Sequence, residues 1–235
     1  MVSSLPSEVV DAASARLLAT VADLPDTDWS GDTHCAGWSR AHVIAHLVLN
    51  AEGLAGVLEG VRAGEPRTMY ASDERRDADI EELAAAPPDE IRARLRAAVD
   101  RFGAAWSGAS VPGEQFERTP GGQLIRAAAI GFMRLREVEI HHADLRAGYS
   151  WSDWPEQTVA AFLDNSAKQY DGPGFRVATD GGGTWAFGDP DDDAPTVTGP
   201  AGAVAWWATG RPVDDDQAGP VLSSTEGTLP TMEGR

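Results

Sequence analysis

The sequence predicts a mainly α protein in two parts, a helical bundle over residues 1–149 and a small α/β domain over residues 150–235. Apolar residues recur at helical spacing through most of the first part. After Gly148 the pattern changes, because glycine, proline, aspartate and tryptophan separate short runs that favour β-strands. We therefore place the domain boundary at this change of pattern.

Two helices are expected before the first long polar segment ends. An apolar stripe behind the N-cap candidate Ser7 predicts a helix over residues 8–24. Ser39 is a suitable N-cap for a second, longer helix, whose apolar stripe continues to a stop near Gly64. This second helix begins directly behind a polar loop.

Three more helices complete the first part. Ser72 is the expected start of a short acidic helix, and the prolines at 87–88 interrupt it before a fuller helix resumes the same period. The sequence Pro-Gly-Gly at 120–122 predicts a loop or a short hairpin. A last helix is expected over residues 126–147 and ends at the following glycine.

The second part predicts a helix, three short strands and a final helix. Pro155 is the expected first residue of the helix, and the runs FRVATD, TWAFG and APTVTG are the expected strands. The last helix falls on AGAVAWWATG, before a loop or strand at VLSSTEGTL. The acidic run 189–193 lacks the spacing of a calcium loop and is interpreted as a solvated turn.

The composition excludes several classes of partner. The chain has 19 Lys and Arg against 37 Asp and Glu, and this net charge of −18 repels the phosphates of nucleic acids. The N-terminus lacks the basic and apolar regions of a signal peptide, and no uninterrupted apolar run reaches the ~18 to 20 residues that span a bilayer. The single cysteine, Cys35, excludes an intramolecular disulfide. We expect a cytoplasmic monomer, and the Ala, Gly and Arg content is typical of high-GC bacteria such as actinobacteria.

The histidines suggest where chemistry takes place, because all five fall in two short windows, at positions 34–46 and 141–142. Glu137 and His141 are four residues apart, so both project from one face of the last helix of the bundle. His46 lies where the apolar stripe of the second helix is densest and faces inward. Two imidazoles and a carboxylate suit a zinc-like divalent ion with an open coordination position. A hydrogen-bonded core histidine is the simpler alternative.

Two carboxylates near this pair have weaker claims to a metal. Glu139 lies about 200° around the helix from Glu137, so it cannot share the same site. Asp144 is better placed to accept a hydrogen bond from the outer nitrogen of His141.

The remaining histidines and the cysteine have no settled role. His142 points away from its neighbour and is expected at the surface or between the domains. His42 is a candidate for a supporting residue or a substitute ligand. Cys35 precedes a helix, where a thiolate is favoured, but a loop cysteine without catalytic function is the preferred interpretation.

Three segments together resemble a known family. The segments GWSRAHVIAHLVLNAEGL and REVEIHHADLRAGY, with Met69 and Tyr70 ahead of Arg76, resemble the N-terminal domain of mycothiol-dependent maleylpyruvate isomerases, within the DinB-like metal-binding superfamily. The resemblance implies a DinB-like four-helix bundle. It also implies that the equivalents of the family's zinc ligands are His46, Glu137 and His141.

The resemblance extends to the second domain and to two arginines. Family members carry a small α/β domain similar to sterol-carrier proteins, and Arg211 falls where these isomerases have a functionally important arginine. Arg76 also falls at an arginine of the family, although a solvated charge on a helix explains it equally well. The resemblance implies that both guanidinium groups pair with carboxylates of the substrate.

The implied activity is an isomerisation that depends on zinc and mycothiol. The zinc would hold the sulfur of mycothiol as a thiolate, which would add to the cis double bond of maleylpyruvate, allow rotation and leave. A mycothiol S-transferase that attacks an electrophilic small molecule irreversibly is one alternative. The other is a DinB-like bundle that keeps the metal for stability and acts as a binding module.

Overall fold

The computed structural model describes residues 6–65, 67–107, 113–213 and 221–232 of the chain. The chain divides into two compact units, Met1–Tyr149 and Ser150–Arg235. The first unit is helical apart from one short hairpin, and the second combines two helices with a four-stranded sheet. The predicted fold class, mainly α with a small α/β part, is confirmed.

Five helices build the first unit. They are α1 (Ser7–Asp23), α2 (Arg40–Ala63), α3 (Asp73–Ala84), α4 (Pro88–Ser107) and α5 (Ile130–Asp144). The helix α2 is central, because it packs against α3, α4 and α5, while α1 packs against α4 and α5. Its apolar residues are buried along nearly its whole length, which makes it the core element that positions the others.

The ends of these helices follow the capping residues of the sequence in most cases. Ser39 caps α2 in a capping box, and Gly64 ends it with a left-handed φ of 69° that favours glycine. Ser72 caps α3, since its hydroxyl accepts a hydrogen bond from the backbone N–H of Arg75. The prediction that Ser7 caps α1 was wrong: it is the first helical residue, and no side chain caps this end.

Among the described helices, α2 is long and apolar enough to cross a membrane by length and composition, with a mean hydropathy of 1.4 over its best window. The sequence does not predict this, because polar residues interrupt the apolar run. In the structure 72% of that window is buried inside the protein. Packing in the bundle core therefore accounts for the apolar character of α2.

A short antiparallel hairpin precedes α5 and changes where that helix begins. Its strands are β1 (Gln115–Glu117) and β2 (Leu124–Arg126), in agreement with the predicted turn. The predicted helix start at residue 126 was wrong, because this residue still pairs in β2 and a 3₁₀ turn separates it from Ile130. The backbone N–H of Ala127 donates to the carbonyl of Glu114, which continues the pairing beyond the strand.

The second unit is a four-stranded sheet with two helices. Its elements are α6 (Glu156–Gln169), β3 (Phe175–Thr179), β4 (Thr184–Phe187), β5 (Thr196–Gly199), α7 (Ala201–Ala208) and β6 (Ser223–Ser224). The strand order is β4-β3-β5-β6, with β3 and β5 parallel and the other pairs antiparallel. The predicted strands are confirmed. Pro155, however, is the N-cap of α6 and not its first residue.

Candidate metal centre

Three side chains from α2 and α5 converge at one point in the first unit. Glu137 Oε2 lies 2.8 Å from His46 Nε2 and 3.3 Å from His141 Nε2. The two imidazole rings meet edge to face, with their centroids 4.8 Å apart. The helical spacing puts Glu137 and His141 on adjacent turns of α5, and the packing of α2 against α5 brings His46 to them.

The cluster is buried on the α2 side and more open at the carboxylate. The side chain of His46 is 10% exposed and that of His141 is 16% exposed, whereas that of Glu137 is 32% exposed. The indole of Trp38, at the end of the loop before α2, lies 5.5 Å from the ring of His46. A small molecule therefore reaches the cluster from the carboxylate side more readily than from α2.

The outer nitrogen of His141 is held by a buried carboxylate. Its Nδ1 donates a hydrogen bond of 2.8 Å to Asp144 Oδ2, and the side chain of Asp144 is fully buried. Since a carboxylate only accepts, this contact places a proton on Nδ1, so in the neutral ring it is Nε2 that carries the lone pair. The sequence expectation for Asp144 is confirmed by this hydrogen bond, which orients the imidazole.

The carboxylate and the two imidazoles of the cluster shift one another's pKa values. Burial by itself raises the pKa of Glu137, but the contacts with His141 and His46 outweigh it and hold the pKa well below its usual range. Burial likewise lowers the pKa of His141, yet its hydrogen bonds to Asp144, Cys35 and Glu137 raise it well above the ordinary value. For His46 burial dominates, and its pKa is lowered.

This donor set fits a divalent metal ion. Ligand atoms around a tetrahedral ion with bonds of ~2.0–2.2 Å are roughly 3.3 Å apart. The contact between Glu137 and His141 has this length, and the contact between Glu137 and His46 is shorter, at 2.8 Å. Two imidazoles with one carboxylate leave a coordination position open, as in catalytic zinc sites. The prediction that His46, Glu137 and His141 bind zinc therefore remains consistent with the geometry.

Arg76 and Tyr70 lie near the cluster. The positive charge of Arg76 contributes, after burial, to the lowered pKa of His46. Burial raises the pKa of Tyr70 to about 12, and its surroundings include the charges of Glu137, Arg76 and Arg134. Arg76 Nε is buried and has no hydrogen-bond partner among the described residues, although it lies 3.4 Å from Asp77 Oδ1 in an ion pair.

Arg134 is a buried cation on the cluster side that sequence reasoning missed. Its side chain is fully buried one turn before Glu137, and its Nη1 donates to Leu47 O at 3.0 Å and to Asn50 Oδ1 at 2.8 Å. Burial lowers its pKa to about 10, against the opposing charge of Glu137. The guanidinium thus links α5 to Leu47, the residue that follows His46 on α2. In the sequence, only the presence of an arginine inside an apolar helix pattern indicated a special role for this residue.

Cys35 also lies closer to the cluster than the sequence suggested. Its Sγ donates to Asp144 Oδ2 at 3.3 Å and is 3.8 Å from His141 Nδ1. The thiol therefore contacts the outer face of His141, away from the three converging ligand atoms. Only the proximity of the loop to α5 reveals this, because the two segments are far apart in sequence.

The structure does not bring the other histidine candidates into the cluster. The ring of His42 contacts Ser39, and the two side chains together form the capping box at the start of α2. The same ring also contacts Glu81 on α3. The expectation that His142 lies at the surface was wrong, because it is completely buried and hydrogen-bonds Thr20. Its helical position directs it to α1, opposite to the face that carries the cluster.

Arg211 belongs to the second unit and follows α7. Its guanidinium carbon lies 5.6 Å from the centre of the Trp206 ring, a cation–π contact that holds the side chain against this helix. Its role toward a substrate remains a prediction from the family resemblance.

Comparison with known proteins adds independent information. Residues 10–146 match the model of a family described as the mycothiol maleylpyruvate isomerase N-terminal domain. The fold also matches a crystal structure of the mycothiol-dependent maleylpyruvate isomerase with a TM-score of 0.83 and 24% identity, over 97% of each chain. A crystal structure of a histidine-to-alanine mutant of that isomerase matches with a TM-score of 0.82, the same identity and the same coverage. A search of curated proteins finds no match.

Proposed function

Because the chain belongs to the family of the mycothiol maleylpyruvate isomerase N-terminal domain, we propose that it is an enzyme that uses mycothiol and zinc to isomerise maleylpyruvate. The observation that carries this proposal is the convergence of His46, Glu137 and His141 with Asp144 behind them. In this proposal residues 1–149 form the DinB-like metal-binding domain. Residues 150–235 form the sterol-carrier-like domain.

Each side chain of the cluster makes a different contribution to metal binding. His46 and His141 supply neutral imidazole nitrogens, and Glu137 supplies the negative charge that favours a divalent ion. Asp144 fixes the ring of His141 in one orientation, so that its lone pair stays directed inward. A zinc ion bound there supplies the positive charge that keeps the sulfur of mycothiol deprotonated at neutral pH.

The reaction itself needs only addition, rotation and expulsion. A thiolate held at His46, Glu137 and His141 would supply a nucleophile for one carbon of the cis double bond, with the electron pair of that bond taken up by the conjugated carbonyl. Rotation about the resulting single bond and return of the electrons, with loss of the same thiolate, would give the trans isomer.

The two arginines suit the charged ends of the substrate. The charge of Arg76 acts on His46, and Arg76 Nε has no hydrogen-bond partner among the described residues, so this guanidinium suits a carboxylate of the substrate. We propose the same role for Arg211 on the basis of the family resemblance alone. In a protein with a net charge of −18, such local cations offset the repulsion that an anionic substrate otherwise experiences.

Turnover assays separate this function from the S-transferase alternative. The purified, zinc-loaded chain should convert maleylpyruvate to its trans isomer only when mycothiol is present, without consuming the thiol. An S-transferase instead consumes mycothiol stoichiometrically with an electrophile such as chloro-dinitrobenzene. Absence of thiol-dependent turnover with either compound contradicts the enzymatic proposal and favours a metal-stabilised binding module.

Variants on α2 provide the matched test. His46→Ala should lose both bound zinc and turnover, measured by elemental analysis and by isomerisation rate. His42→Ala removes a histidine one turn earlier on the same helix, where the ring contacts Ser39 and Glu81, and should keep zinc. Full zinc occupancy in His46→Ala would refute the assignment of the cluster.

A further inference from the structure

A cavity of about 600 Å³ lies in the first unit, between α2, α3, α4 and the segment 68–71. This volume is in the range of small-molecule sites. Nothing in the proposed chemistry of the three ligands uses it. Its floor is formed by α2, and Tyr70 forms part of its wall.

The floor of the cavity contains a glycine that packing does not explain. A Cβ at Gly53 would lie 3.0 Å from the carbonyl oxygen of Met69, and one at Gly60 would lie 2.5 Å from that of Glu65, so close backbone contacts require both glycines. A Cβ at Gly56 meets nothing nearer than Arg101 Nη2 at 4.0 Å. Glycine inside a helix is destabilising relative to alanine, so its presence at position 56 preserves open space at a cost in stability.

The walls of the cavity carry both hydrogen-bond donors and acceptors, because arginine and carboxylate side chains are paired there. Glu52 accepts two hydrogen bonds from Arg94, at 2.9 and 2.8 Å, and Arg75 pairs with Asp79. Across the whole lining, four carboxylates outnumber two guanidinium groups. A hydroxyl group both donates and accepts, so a neutral polyol satisfies such a wall, whereas an anion is repelled by the excess of carboxylates.

The cavity and the cluster lie along one side of α2. His46, Leu49, Gly53 and Gly56 follow at spacings of three or four residues, which keeps them on one face of the helix. With a rise of about 1.5 Å per residue, Gly53 is about 10 Å along the axis from His46. Tyr70 lines the cavity, and its pKa is raised by burial and then by the charge of Glu137.

We propose that this cavity binds the neutral, hydroxyl-rich body of the thiol cofactor, while the sulfur at its other end reaches the cluster. The inference rests on the proposed function and extends it to the selection of the thiol. It predicts that the protein distinguishes mycothiol, whose cysteine is attached to a glucosaminyl inositol, from a small thiol without a polyol. The anionic substrate then binds on the side of the cluster where Arg76 lies.

Direct binding tests the cavity independently of catalysis. The probe is acetylated glucosaminyl inositol, a polyol without sulfur, titrated into the full-length protein with and without zinc and followed by calorimetry. Wild type should bind it in both states, and Gly56→Leu should weaken binding at least tenfold, about 1.4 kcal/mol. The control is Gly103→Leu on α4, another helical glycine whose Cβ meets nothing within 4 Å, and it should bind like wild type.

Thiol preference provides the second measurement. Wild type should favour mycothiol over N-acetylcysteine in kcat/KM, and Gly56→Leu should reduce that preference at least tenfold, whereas Gly103→Leu should retain it. Equal polyol binding by Gly56→Leu and wild type, or no binding to wild type, overturns the inference. If the polyol binds as expected but no thiol supports turnover, the proposed function fails and the cavity assignment stands.

Discussion

Two carboxylates on α5, only two residues apart, have different surroundings in the first unit. Glu139 is fully buried, and its oxygens accept hydrogen bonds from Arg16 Nη2 at 2.6 Å and from the Tyr149 hydroxyl at 2.5 Å. Glu137 Oε2 instead meets the ring nitrogens of His46 and His141. The first arrangement supplies a donor for each oxygen, whereas the second gathers two imidazole nitrogens around one carboxylate oxygen, a donor set that suits a cation.

The neighbouring histidines repeat the contrast. His142 stacks on Tyr149 with ring centroids 3.7 Å apart and hydrogen-bonds Thr20 at 2.8 Å, which ties α5 to α1. His141 donates its outer proton to Asp144 and turns its other nitrogen toward the cluster. Residue type is thus shared by the two faces of α5, but burial is not, because the side chain of Glu137 is 32% exposed while Glu139 is fully buried. What distinguishes the candidate site is the convergence of three possible metal ligands.

Replacing Glu137 and Glu139 one at a time should show the largest difference between the two faces of α5. Glu137→Gln should abolish stoichiometric zinc binding with little loss of stability, because it removes one of three ligands from a partly exposed position. Glu139→Gln should keep zinc but lower the free energy of unfolding by about 2 kcal/mol, because it disrupts two buried hydrogen bonds. Elemental analysis and denaturant titration measure these outcomes.

The opposite outcome for zinc binding would contradict this assignment. Zinc retained in Glu137→Gln, or lost in a folded Glu139→Gln, would show that the functional face of α5 has been misassigned. Equal destabilisation by both changes would mean that Glu137 is a structural residue like its neighbour.

Local signals made much of the fold predictable. Ser39 and Gly64 mark the ends of α2 through capping chemistry that involves only adjacent residues. The start of α5 was not predictable in this way, because residue 126 pairs with Gln115 across the hairpin and this pairing overrides the helical pattern. Helix ends set by strand pairing require the tertiary structure.

The same distinction applies to the candidate site. The spacing of Glu137 and His141 is local, but their meeting with His46 joins positions 91 residues apart and was expected mainly from the family resemblance. The burial of Arg134 and the proximity of Cys35 to Asp144 depend on helix packing, for which the sequence has no periodic signal. Spacing within one element was therefore predictable, and convergence of elements was not.

The hydrogen bond behind His141 should have a smaller effect than the ligands themselves. Asp144→Asn replaces the charged acceptor of the Nδ1 proton and should weaken zinc affinity about 10- to 100-fold, measured by competition with a chelator. Cys35→Ser is the control, because serine keeps a donor toward Asp144, and its affinity and turnover should remain near wild type. An inactive Cys35→Ser protein would instead assign the thiol a role in the chemistry.

Tyr149→Phe should have the smallest effect and should be confined to the structural face of α5. Losing the hydroxyl that donates to Glu139 should lower stability by about 1 kcal/mol at neutral pH without changing zinc affinity. Burial and then Glu139 raise the pKa of Tyr149 above its ordinary value of 10.0, so its neutral form is favoured in the folded state. This contribution is fully present below pH 10.0 and declines as the pH rises above it. Denaturant titrations between neutral and alkaline pH should therefore show a smaller alkaline loss of stability in Tyr149→Phe than in wild type, and identical slopes would remove Tyr149 from the network around Glu139.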